Sequence, residues 1–124
     1  MTQMRSGQMR VLFYQFFPGG GIGRYTHELL KELSGRPGVD AELACLPSFE
    51  WLGHATYPVW PHLREIGHPV AWRRRLRFLI AQYANPHRLI RHVRETRPDV
   101  VHFSNINHLS LTFWWRRLRH TGVR

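Results

Sequence analysis

The chain has 124 residues and a formal net charge of +10, carried by 17 Arg and one Lys against eight acids. That length is one domain or less, and a hydrophobic content of 43% belongs to a folding chain, which excludes disorder throughout. A single cysteine, Cys45, excludes an intrachain disulfide, and the basic balance directs attention to polyanions: nucleic acid, anionic lipid or phosphorylated substrates.

The first eight residues, MTQMRSGQ, are polar and lack the apolar core of a signal peptide. They are expected to form a flexible tail (1–8) ahead of a domain over residues 9–124. No uncharged run approaches the roughly 20 apolar residues needed to span a bilayer. With a lone cysteine in an apolar stretch, a small buried hydrophobe in a reducing compartment, a cytoplasmic setting is expected.

Residues 9–16, MRVLFYQF, are apolar and aromatic without clean alternation, which predicts a strand buried on both faces. Beyond the glycines, Ile22, Tyr25, Leu29, Leu30 and Leu33 recur at helical spacing, and SGRPG at 34–38 supplies both usual helix breakers. DAELACL, 40–46, predicts a second strand. Four prolines and three histidines in 47–69 break any periodicity and predict loops around a short strand or turn near Tyr57–Trp60. In 71–84, Trp72, Leu76, Leu79, Ile80 and Tyr83 form one stripe of an amphipathic helix. Asn85-Pro86 predicts a turn opening a further helix with Leu89, Ile90 and Val93 inward, ended by Pro98. RPDVVHF, 97–103, predicts a buried strand, and 107–122 a last helix stopped by Gly122.

This order of strands and helices predicts an α/β fold: an incomplete Rossmann-like parallel sheet with flanking helices. The first strand is expected in the centre, with the 40–46 and 97–103 strands on either side.

Gly19, Gly20, Gly21 and Gly23 sit between the first strand and the first helix. A helix start offers unpaired N–H groups to anions, and glycines let a phosphate approach the backbone. The spacing is neither the dinucleotide fingerprint, since Arg24 takes the third glycine position, nor a P-loop, since no Gly-Lys-Ser/Thr follows. Phosphate cradle and tight structural turn both fit; the carboxyl end of a strand in an open α/β sheet favours a ligand.

MRVLFYQFFPGGGIGRYTHELLKEL together with RPDVVHFSN resembles the N-terminal domain of GT-B fold glycosyltransferases, specifically the large retaining family four. The resemblance covers most of 9–34 and 97–105. It implies two Rossmann-like domains facing a cleft, the N-terminal one binding the acceptor and the C-terminal one the sugar nucleotide. Carried over by position, Gly19, Gly20, Gly21 and Gly23 approach the donor's phosphates or transferred sugar, and Arg24 either helps neutralise phosphate or points to solvent. His102 and Asn105 line the acceptor side. The implied reaction moves a hexosyl group from a nucleotide sugar to a carbohydrate or lipid-linked acceptor, with no cofactor and no metal. The family's His-Asp or similar pair, expected past a next strand that would begin near Val123, and the donor domain with its paired glutamates do not follow in this sequence. The expectation is therefore a truncated or split half, inactive alone.

No two of the nine histidines are three or four residues apart, so no helical face presents a metal-binding pair. WRRRLRF (72–78) and WWRRLRH (114–120) join aromatics to arginines. One reading is a basic helix lying on an anionic membrane; the other packs the aromatics on the sheet and leaves the arginines in solvent. As an alternative to an enzyme, the charge also fits a basic module for anionic membrane or nucleic acid. However, no helix-turn-helix, zinc-finger or RNP pattern is present.

Overall fold

The computed structural model describes residues 7–104 and 116–123. Its sheet has four parallel strands in the order β3-β2-β1-β4, where β1 is Met9–Tyr14, β2 Val39–Ala44, β3 Val59–Trp60 and β4 Val100–Phe103. Strand β1 is flanked as expected, with Phe13 opposite Leu43 on one side and His102 on the other. The short strand near Tyr57–Trp60 is present as β3.

The alternation of β1 divides the interior. Val11 and Phe13 face helix α1 (Gly20–Ser34) with Leu30, Leu43, Cys45, Phe49 and Tyr57. Leu12 and Tyr14 face helix α2 (Ala71–Thr96) with Ala44, Leu46, Leu89, Ile90 and Val93. Each large apolar side chain buried this way stabilises the fold by about 1.5–3 kcal/mol. Both faces are covered, which explains why β1 shows no polar alternation in sequence. Cys45 is fully buried, and burial with the nearby Glu65 pushes its thiol up to about 12.

Two expectations about helix faces are corrected. In α1 Leu29, Leu30 and Leu33 pack on the sheet as expected, but Ile22 and Tyr25 are exposed and Gly23, Thr26 and His27 are buried in their place. The face turned inward is the one whose polar side chains find partners: Thr26 with Gln15 and Ser104, His27 with Tyr57. In α2 the stripe Trp72, Leu76, Leu79, Ile80 and Tyr83 is exposed, and the helix buries Ala81, Asn85, Leu89 and Val93 instead.

The turn expected at Asn85-Pro86 is also corrected: α2 runs unbroken from Ala71 to Thr96 with Pro86 inside. A proline there forfeits one backbone hydrogen bond and costs about 3 kcal/mol. The side chain of Asn85 is not spent on a local turn. Its Oδ1 accepts from the Arg64 N–H (2.5 Å) and its Nδ2 donates to the Arg64 carbonyl (3.1 Å). That paired contact pins the 61–69 loop to mid-helix, while Leu89, Ile90 and Val93 carry the helix on across the sheet. At the far end Arg97 takes a left-handed conformation (φ 47) and its N–H caps the Val93 carbonyl at 2.8 Å. Of the last helix expected from the sequence, residues 116–119 are helical and Gly122 (φ 82) follows as its terminator; 107–115 lie outside the described residues.

Replacing Asn85 by Ala leaves the partly buried Arg64 N–H and carbonyl without their side-chain partner, so stability should fall by about 1–2 kcal/mol in urea titrations. A loss below half that would mean the Arg64 contact is dispensable.

Candidate functional site

Parallel strands put all their carboxyl ends on one edge of the sheet, and the candidate site is assembled there. A buried hydrogen-bond network ties the ends of β1 and β4 to α1. The hydroxyl of Thr26 donates to Gln15 Oε1 (3.0 Å) and lies 2.9 Å from Ser104 Oγ. Since a hydroxyl has one proton, Ser104 donates to Thr26 in turn. The Gln15 amide donates to the Phe17 carbonyl at 3.1 Å and so fixes the chain entering the elbow.

Gly19 is the residue before the first helical turn and Gly20, Gly21 and Gly23 lie within α1, a start earlier than Ile22. Gly20 has φ +79, which a side chain would strain. The α1 N-terminus has no side-chain cap of its own and no acid in its first turn. Its anion comes from across the fold: the Gly20 N–H donates to Glu50 Oε2 at 3.3 Å. The Glu50 N–H in turn donates to the Pro18 carbonyl at 2.6 Å. A Cβ on Gly19 would collide with the Glu50 carboxylate, so a glycine is needed there for that contact. Arg24 is exposed just past the first helical turn, because α1 starts at Gly20 and not at Ile22.

Sequence reading missed Glu50 because it reaches the elbow from 30 positions away, out of the loop after β2. The only signal in the chain is an acid following a strand end. Gln15, Thr26 and Ser104 were missed for the same reason: none has a characteristic spacing.

His102 occupies the penultimate position of β4, half-buried, its ring 4.8 Å from that of Phe13. The rows of β1 and β4 therefore place His102 on the α1 side of the sheet, near the Thr26–Ser104 contact. Asn105 lies outside the described residues.

Beside the elbow an open groove of about 630 Å³ is lined by Pro18, Ile66, Phe78 and Leu79 with the guanidinium-bearing Arg74 and Arg75. Ser48 at its rim is held by Glu65, which accepts from the Ser48 N–H (2.6 Å) and hydroxyl (2.8 Å). The groove and the glycine elbow share Pro18. Together they make a crevice offering backbone amides at one end and an apolar bed with two cations at the other. Among the described residues, no cluster of three or more His, Cys, Asp or Glu is arranged to hold a metal.

The α1 wall carries a second polar pair. His27 Nδ1 lies 2.8 Å from Tyr57 Oη, and the His27 ring stacks on Trp51 at 4.9 Å. Burial holds the imidazole below its usual range, and burial raises the Tyr57 hydroxyl to about 12, so the pair is neutral near pH 7.

The family described as "Glycosyl transferase 4-like domain" matches residues 20–124, and the chain belongs to it. The parallel sheet is accordingly a Rossmann-like part of a GT-B half. No curated protein and no solved structure matches the chain.

A group whose folded pKa is lowered contributes stability that is whole above its unfolded value, about 6.5 for histidine, and is lost as pH falls below it. For His27 the loss is at most ~1.4 kcal/mol per pH unit. Urea midpoints should therefore drop between pH 7.5 and 5.5, and His27→Gln should flatten that slope; equal slopes would remove His27 as the cause.

Proposed function

We propose that this chain is the acceptor-side half of a retaining hexosyltransferase that moves a hexosyl group from a nucleotide sugar to a carbohydrate or lipid-linked acceptor. One observation carries the reading. The glycine elbow and the arginine-bearing groove open side by side at the carboxyl ends of β1 and β2.

In this reading the α1 N-terminus faces the donor's diphosphate. Amides and a helix dipole aimed at a leaving diphosphate stabilise the charge that develops as the glycosidic bond breaks. Gly19, Gly20, Gly21 and Gly23 let the phosphates approach, and Arg24 adds a cation just past the first turn. Glu50 occupies that position in the free chain as an internal anion, and it must swing aside for a phosphate to enter. Its exposed place on a loop permits that movement. The groove receives the acceptor: an apolar bed with Arg74 and Arg75 suits an acceptor with a hydrocarbon portion and an anionic group. That favours the lipid-linked class over a plain carbohydrate. His102, on the α1 side of the β4 end, and Asn105, by its place in the sequence alone, are the further residues assigned to the acceptor.

Rate in such an enzyme comes from holding donor and acceptor together in a closed cleft. In this reading residues 9–124 form the acceptor wall of that cleft and act together with a donor-binding half, without which they do not transfer sugar. A cytoplasmic setting fits the buried, unpaired Cys45 thiol.

Titration calorimetry with inorganic pyrophosphate tests the elbow. Removing the competing carboxylate in Glu50→Ala should tighten binding about five- to tenfold, a gain of roughly 1–1.4 kcal/mol. Unchanged weak binding in both proteins would make the elbow a structural turn only. Purified chain given nucleotide sugars and acceptors should show no transfer above buffer; clear turnover would sink the half-cleft reading.

A further inference from the structure

Helix α2 has two apolar faces. Phe78, Ala81, Asn85 and Leu89 turn toward the sheet. Trp72, Leu76, Leu79, Ile80 and Tyr83 lie on the opposite side, within an arc of about 100° at 100° per residue. These five are exposed, Trp72 and Tyr83 to 62% and Leu79 to 56%. Isolated exposed apolar residues need no explanation, but five on one helical stripe do.

The charges around the stripe identify what covers it. By helical spacing Arg75 borders one edge and Arg73 and Arg77 the other. Arg73 lies 5.2 Å over the Trp72 ring, and Arg77 donates to the Gly67 carbonyl at 3.0 Å, which leaves its charge unneutralised. Farther along the same face His87, Arg91 and Arg94 join Arg117 around a small basic depression of about 180 Å³. Arg91 of this group pairs with Glu95 at 3.5 Å. In sequence no acid occurs between Glu65 and Glu95, while seven arginines do.

We propose that the outer face of α2 seats on an anionic lipid bilayer. The stripe enters the interface with Trp72 and Tyr83 at its border, and the arginines contact headgroup phosphates. Each apolar group so placed leaves water, and each Arg near the surface adds about 1 kcal/mol, or about fivefold in binding. A second copy of the chain fits poorly, because a self-complementary contact through this face would bring the two arginine borders together. Nucleic acid would engage the arginines but leave the apolar stripe in water. Leu79 belongs both to the stripe and to the groove, so the groove opens at the level of the surface. A lipid-linked acceptor would reach it without leaving the bilayer. Among the described residues no helix is long and apolar enough to cross a membrane, so α2 lies on the surface.

The docking inference stands on the helix face and not on the transfer reading, and the two fail separately: vesicle binding and pyrophosphate binding are independent measurements. The test is flotation of the full chain with vesicles of phosphatidylcholine containing about one-third phosphatidylglycerol, against phosphatidylcholine alone. The chain should float with the anionic vesicles at low salt and lose most binding near 0.5 M NaCl, where screening is about 4 Å. Trp72→Ser with Leu76→Ser, both at exposed positions, should weaken binding at least tenfold with an unchanged melting temperature. Arg73→Gln and Arg94→Gln should each weaken it about fivefold. No flotation at low salt, or flotation indifferent to the Trp72 and Leu76 changes, would overturn the proposal. So would a concentration-dependent dimer dissolved by those same changes.

Discussion

The pairing of β1 with β2 on one side and β4 on the other is the constraint on which the functional edge depends. Because all these pairs are parallel, the chain leaves β1, β2 and β4 on the same edge. The elbow, the loop bearing Glu50 and the end of β4 bearing Ser104 therefore converge. The Gln15–Thr26–Ser104 network then fixes the convergence from inside, at one point where both strands and α1 meet. A buried network of this kind rigidifies only when every member is satisfied, and here each polar atom that the contact requires has a partner.

At that edge the dominant electrostatic feature is a carboxylate held against a helix N-terminus. The same dipole and free amides that attract a phosphate also attract Glu50, so the elbow's preference for an anion is displayed by the protein's own side chain. The glycines shape the contact with Glu50. Gly20 provides the positive φ that turns the chain into α1, and Gly19 leaves room for the carboxylate. Phosphate cradle and structural turn are thus not exclusive: a turn of this shape is what brings the amides to the surface.

Helix α2 shows how little a hydrophobic pattern says about direction. Its sequence has apolar residues on nearly all sides in the N-terminal half, and periodicity marks the most regular stripe without stating which side the sheet will take. The sheet takes the side with Ala81 and Asn85, because a small residue allows close approach and Asn85 can satisfy the Arg64 backbone. The more regular stripe is left facing out. Pro86, a strong local breaker, is overridden because three buried side chains beyond it gain more than one lost hydrogen bond.

Local composition by itself determined the alternation of strands and helices, the buried character of β1, the glycine elbow after it and the kinship carried by GGGIGRY and PDVVHF. These features rest on near-neighbour physics: strand and helix periods, and the backbone freedom of glycine. Tertiary structure alone decided which faces of α1 and α2 turn inward, whether Asn85-Pro86 ends a helix, and which carboxylate meets the Gly20 amide. Those outcomes depend on partners brought close from far along the chain, Thr26 to Ser104 and Gly20 to Glu50, and no short-range pattern encodes a distance between residues the fold has yet to join.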